Sequence, residues 1–184
     1  MRLFTGIDLS SEVRSAIEQL LRKLRPQADI NWSPVENLHI TTKFIGEWPE
    51  EKLTALEDGL REVPVPMPIE IGLRGLGWFP NPHSPRVFWA GIDAPSALGD
   101  LAAATERRLE ELGIAAEKRA FSPHLTLARV KGPVDFGPLR RAIAGLDSVD
   151  FGRFRVDRFH LYQSQTAPSG SRYRKLAEFP LAST

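Results

Sequence analysis

The sequence predicts an α+β fold: two duplicated lobes related by a pseudo-two-fold axis, with two antiparallel sheets lining a central cleft and helices on the outside. Three observations carry this expectation. His39-Ile40-Thr41 recurs as His124-Leu125-Thr126, 85 residues later. The same offset places Gly6-Ile7-Asp8 on Gly91-Ile92-Asp93, Ser11 on Ser96 and Leu24 on Leu109 with no insertion or deletion, the mark of an internal repeat. Through both copies, stretches of period-two alternation interleave with stretches of helical spacing. The copies span about 1–63 and 86–146, and no low-complexity linker parts them, so residues 1–184 are expected to form one two-lobed domain.

Each element has its local reason. Arg2 to Leu9 alternates as a strand and ends at Ser10-Ser11, either of which can cap a helix. Val13, Ile17, Leu20, Leu21 and Leu24 then follow helical spacing to about Arg25, and Pro26 stops them. Asn37 to Ile45 reads as the strand of the first triplet. A helix from near Pro49 carries Leu53, Leu56 and Leu60 on one face and stops before Pro64. Strands at 67–79 and 86–93 flank the Pro80–Pro85 turn segment. Leu98, Leu101, Leu109 and Leu112 mark the next helix, which Gly113 closes. Phe121 to Val130 holds the second triplet, and Leu139, Ile143 and Leu146 lie on a shorter helix. Strands follow near Phe151–Val156, Arg158–Gln163 and Tyr173–Phe179, with Ser164–Ser171 expected as a flexible polar loop.

Composition narrows the function. A net charge of +1 lacks the gross basicity of a duplex-coating protein but leaves a small or single-stranded anionic substrate open. The absence of cysteine excludes disulfides, thiolate zinc sites and a cysteine nucleophile. The N-terminus lacks a signal-peptide layout and no apolar run reaches membrane-spanning length, so a cytoplasmic protein is expected.

On a strand, residues two apart share a face, so His39 projects with Thr41 and His124 with Thr126. A half-exposed strand shows the same alternation, but its repetition at the duplication offset points to a shared site. Histidine gives or takes a proton near neutrality, with an unperturbed pKa of roughly 6.5. Two of them serve as general acid and general base, one charged while the other is neutral, which predicts a bell-shaped pH dependence. The threonine hydroxyls can donate to charge building on non-bridging oxygens. Two histidines without cysteines or a carboxylate cluster are too few for a metal site, so neither metal nor cofactor is expected. In-line attack on a phosphodiester fits these parts.

The segments Asn37–Gly46 and Phe121–Arg129 resemble the paired His-x-Thr motifs of the two-histidine phosphoesterases. Within that superfamily the chain is similar to the LigT-like RNA 2',3'-cyclic phosphodiesterases, also called 2'-5' RNA ligases. Arg2–Leu9 and Pro85–Gly91 share the likeness, whereas Thr42 stands where an apolar residue is common. The resemblance implies a metal-free hydrolysis of an RNA 2',3'-cyclic phosphate to a 2'-phosphate. It implies His39 as proton donor to the departing 3' oxygen, His124 as acceptor from water, and Thr41 and Thr126 on the phosphate oxygens. With a 5'-hydroxyl in place of water, the same chemistry makes a 2'-5' bond. The residues alone leave the acid and base roles open, because the motifs are pseudo-symmetric. They also leave open another small cyclic nucleotide as substrate, or a binding module without turnover.

Three further residues are candidates for holding the substrate, RNA with a cyclic phosphate end; no membrane partner is expected, and the protein is expected to be a monomer. Arg129 offers a planar donor fork, although strict alternation turns it away from His124. Phe44, its counterpart in the first copy, is either a core residue or a stacking platform. Lys43 alternates onto the His39 face. Arg172-Tyr173-Arg174-Lys175 mixes charge with an aromatic as single-strand binders do, or forms a charged edge. His83 and His160 lack the triplet and read as loop and strand residues.

Overall fold

A computed structural model describes residues 1–64 and 68–181. In chain order the elements are β1 (Arg2–Asp8), α1 (Ser11–Leu24), β2 (Asn31–Trp32), β3 (His39–Glu47), α2 (Leu53–Arg61), β4 (Ile69–Phe79) and β5 (Val87–Asp93). They continue as α3 (Ser96–Glu110), β6 (His124–Arg129), α4 (Gly137–Ala144), β7 (Asp150–Val156), β8 (Arg158–Ala167) and β9 (Gly170–Pro180). Residue 67, the expected start of β4, lies outside the described residues. No helix among the described residues is long and apolar enough to cross a membrane.

The local signals act as expected. Ser10 Oγ accepts from Val13 N at 3.2 Å and caps α1. The apolar stripe of α1, Val13 through Leu24, is buried. Gly113, with φ +85, adopts the left-handed turn that ends α3. One expectation fails: Ser164–Ser171 is not a flexible loop. Gln165 pairs with Arg172, Thr166 with Ser171 and Ala167 with Gly170, so β8 and β9 form a long hairpin turning at Pro168-Ser169. Polar residues read as loop there because neither face of the hairpin tip is buried, and the ladder alone holds it.

The curled sheet runs in the order β7-β4-β5-β6-β3-β1-β8-β9, and β2 joins β6. It is two four-stranded halves, β7-β4-β5-β6 and β3-β1-β8-β9, and their meeting point is a single antiparallel bridge, Ile40↔Leu125. Both bridge residues are fully buried. Further along β6 its edge is taken by β2, through Asn31↔Arg129 and Trp32↔Ala128, so β3 and β6 part on leaving the bridge. The helices are exchanged between halves: α1 packs on β7 and α4, while α3 packs on β3 and α2. Burying each large apolar side chain of these helices is worth about 1.5–3 kcal/mol, so the exchange ties the halves together.

Both motif strands carry a β-bulge at equivalent places. In β3, Thr5 pairs with Lys43 and Gly6 with Thr41, leaving Thr42 as the extra residue. In β6, Phe88 pairs with Ala128 and Trp89 with Thr126, leaving Leu127. Thr42 is buried, and its hydroxyl meets that of Thr5 at 2.7 Å, which satisfies a polar pair inside the core. The halves still differ in register. Gly6 lies across from Thr41, whereas Gly91, its repeat equivalent, lies across from His124. A slip of two residues keeps every side chain on its face.

Candidate active site

The Ile40↔Leu125 bridge sits at the centre of the site. Antiparallel register about it sets His39 across from Thr126 and Thr41 across from His124, so the two triplets meet as a quartet around one point. The bridge residues point into the core, and the quartet projects from the other face.

Both rings are oriented by the backbone. His39 Nδ1 lies 2.7 Å from the Asn37 carbonyl and His124 Nδ1 lies 2.8 Å from the Ser122 carbonyl. A carbonyl only accepts, so Nδ1 carries the proton in each neutral ring and Nε2 is the nitrogen left for chemistry. His39 Nε2 sits 2.8 Å from Thr41 Oγ1 and accepts from that hydroxyl. Aromatic rings hold both histidines: Phe4 and Tyr173 lie 4.7 and 5.1 Å from His39, and Phe79 lies 5.0 Å from His124, edge on at 88°. Gly6 is required beside His39, since a Cβ there would stand 2.9 Å from the Ile40 carbonyl.

Burial pushes the His39 pKa down. The Asn37 carbonyl raises it, the Arg129 charge lowers it, Asp8 raises it and His124 lowers it further, for a net value below 6.5. In the free protein the His39 signal is therefore expected to titrate with a midpoint below 6.5 when followed by NMR. A midpoint at or above 6.5 would contradict this environment.

The bulges decide where the remaining candidates go. Past Thr42 the alternation is reset, so Phe44 is exposed at 58% and joins the aromatic group through Phe4, at 6.1 Å. Past Leu127 the same reset exposes Arg129, whose charge reaches His39. Antiparallel geometry puts Arg129 at the His39 end of the quartet and Phe44 at the His124 end. Lys43 is not brought to the site. The same bulge turns it beneath α3, where its buried ammonium pairs with Glu106 and donates to the Ala115 carbonyl at 2.9 Å. Lys43→Met is expected to destabilise the fold by about 1–3 kcal/mol, by leaving a half-buried carboxylate without its cation. Urea unfolding measures this, and KM for substrate should not change.

The family model of the LigT like Phosphoesterases matches residues 7–89 and 92–173. The chain belongs to this family. Among its relatives, the RNA 2',3'-cyclic phosphodiesterase of Archaeoglobus fulgidus is 38% identical over 97% of this chain and 99% of its own. That of Methanothermobacter thermautotrophicus is 34% identical over 98% and 99%. Crystal structures of TT0787 of Thermus thermophilus and of Escherichia coli LigT complexed with 3'-AMP both superpose with TM-scores of 0.80. Their identities are 36% and 29%, covering 98% and 99% of this chain and 98% of each of theirs.

Sequence reasoning missed Phe4, Phe79 and Asp8 of this LigT-like site. Phe4 and Phe79 reach the histidines only through strand pairing. Asp8 lies across from His39, and its carboxylate is held by Arg14 and Lys175. Burial pushes the Asp8 pKa up, but the Lys175 hydrogen bond and the two cations outweigh this and leave it below 3.8. The recurrence of Gly-Ile-Asp was the one signal in the sequence for Asp8. Lys175 and Tyr173 belong to the basic-aromatic tail segment, which β9 brings against Asp8 and His39.

Proposed function

We propose that residues 1–184 act as one two-lobed, metal-independent hydrolase of RNA 2',3'-cyclic phosphate ends, leaving a 2'-phosphate. The quartet around the Ile40–Leu125 bridge carries this reading. It supplies two oriented imidazoles and two hydroxyls, the parts an in-line displacement at phosphorus needs. Relatives covering nearly the whole chain are named for the activity.

Water on the His124 side attacks phosphorus and gives its proton to Nε2. The P–O3' bond breaks, and the 3' oxygen takes a proton from His39. Thr41 and Thr126 donate to the non-bridging oxygens. The Thr41 hydroxyl turns from His39 Nε2 to the phosphate as His39 becomes charged. Arg129 holds the phosphate or a base, and Phe44 offers a stacking face. A 5'-hydroxyl replacing water would yield the 2'-5' linkage. The free enzyme acts as a monomer on RNA.

These roles fix a pH dependence. His39 must be protonated to act, and its free-enzyme pKa lies below 6.5. The limb of the kcat/KM profile that reports His39 is therefore expected below 6.5. The corresponding limb of kcat should lie higher, because bound phosphate favours the charged ring. Coincident limbs in kcat and kcat/KM would remove His39 as the donor.

The deciding experiment supplies an RNA oligonucleotide with a 2',3'-cyclic phosphate end in the presence of EDTA. A 2'-phosphate product at undiminished rate is expected. A 3'-phosphate product, or activity that returns only with added metal, refutes the mechanism.

A further inference from the structure

The two histidines are equivalent in the repeat but not in their surroundings. Asp8 lies across from His39, but Gly91 lies across from His124. Around the Asp8–Arg14–Lys175 cluster a pocket of about 730 Å³ opens beside His39, walled by Glu36, Asn37, Tyr162 and Tyr173. In the second half the Arg74 carbonyl packs onto Gly91, where an added Cβ would stand 2.4 Å from it, and Asp93 pairs with the exposed Arg153.

Three observations indicate what the pocket takes. The departing 3' oxygen belongs to the ribose of the substrate, so the nucleoside bearing the cyclic phosphate lies on the side of the proton donor, while the attacking oxygen enters from the other side. The pocket is on the His39 side. Next, Tyr162 is 5% exposed, stacked on Phe4 at 4.9 Å and 8°, and its hydroxyl has no hydrogen-bond partner among the described residues. A buried orphan hydroxyl on a pocket wall costs free energy that a bound ligand recovers. Burial also pushes its pKa up, so it remains a donor. Finally, the carboxylates lining the pocket are not equally available. Asp8 is held by Arg14 and Lys175, and Glu18 bonds Arg22 at 3.2 Å. Glu36, on the mouth, is exposed and has no cationic partner among the described residues. Guanine is the base that offers two adjacent N–H donors, ring N1 and exocyclic N2, to the two oxygens of one carboxylate.

We propose that this pocket is the subsite for the nucleoside bearing the cyclic phosphate, and that it selects guanine. Glu36 accepts from N1–H and N2–H, Tyr162 donates to a ribose or base acceptor, and Tyr173 closes the wall next to His39. The proposal rests on the cyclic-phosphate reading above and assigns that site its substrate preference.

The test compares kcat/KM for four oligonucleotides that differ only in ending with guanosine, adenosine, cytidine or uridine 2',3'-cyclic phosphate. A preference for guanosine of about tenfold or more is expected, the size a charged hydrogen-bonding group contributes. Glu36→Gln should abolish the preference, and Tyr162→Phe should lower kcat/KM on all four ends. Asp93→Asn, on the other half, serves as the unchanged control. Equal kcat/KM values with normal turnover overturn the guanine subsite and leave the hydrolase reading intact. A Tyr162→Phe variant with raised Tm and unchanged kcat/KM overturns the role of that hydroxyl. If no end is turned over, the hydrolase reading fails by itself, and calorimetry with the four nucleoside 2'-monophosphates judges the pocket. Guanosine 2'-monophosphate should then bind about tenfold tighter than the others and lose this margin in Glu36→Gln; equal affinities overturn the proposal.

Discussion

His39→Ala and His124→Ala are each expected to hydrolyse a cyclic phosphate end about 10²–10⁴ times more slowly than the unaltered protein, the contribution of one general acid or base. The loss should fall on kcat. Binding should survive, because the proposed contacts of Thr41, Thr126 and Arg129 do not involve the lost imidazole. The double variant should be little slower than the worse single one, since acid and base act on one transition state and their losses do not add. Both rings are held by a carbonyl on Nδ1, so replacement by Asn or Gln, which cannot relay the proton from the Nε2 position, should not rescue. Rates measured under single-turnover conditions check this. A loss below tenfold for either histidine would mean that the quartet is not the catalytic centre.

Gly91→Ala is expected to destabilise the fold and to disturb the site together. An added Cβ would lie 2.4 Å from the Arg74 carbonyl, a backbone atom of β4 that cannot swing aside. Either β4 or β5 must shift, and Gly91 pairs directly with His124, so the strain reaches the His124 ring. Overpacking of this kind costs about 1–3 kcal/mol. A lower urea midpoint together with a fall in kcat at little-changed KM is the expected result. Gly99→Ala provides the comparison: it lies within α3 with nothing inside 4 Å of the added carbon, and should be neutral or stabilising by up to about 1 kcal/mol. Equal midpoints for the two variants would show that the β4–β5 contact is looser than described.

Much of the site was legible in the chain, and the failures have a common origin. The triplets were visible because duplication writes the same short-range pattern twice, and His39 with Thr41 share a face by strand geometry alone. Lys43, Phe44 and Arg129 could not be placed by alternation, because a bulge in each motif strand resets the period after Thr42 and Leu127. A bulge is a property of two paired strands, and nothing within β3 or β6 alone announces it. The β8–β9 hairpin tip failed in the same way: its residues are turn-like and solvated, and only the ladder makes them strand.

By itself the sequence determined the duplication, the order and ends of most helices and strands, and the two His-x-Thr pairs. These rest on local rules such as capping, periodicity and face alternation, which act over a few residues. Tertiary structure decided what depends on distant segments. It joined the halves at Ile40 and Leu125, sent Lys43 under α3, and laid Tyr173 and Lys175 beside His39. It also broke the symmetry. A two-residue slip between β1–β3 and β5–β6 gives His39 a carboxylate neighbour and a pocket, and gives His124 a glycine under a packed backbone. Register is set by strand pairing and by core packing on the buried face, and equivalent sequences settle into different registers when their neighbours differ.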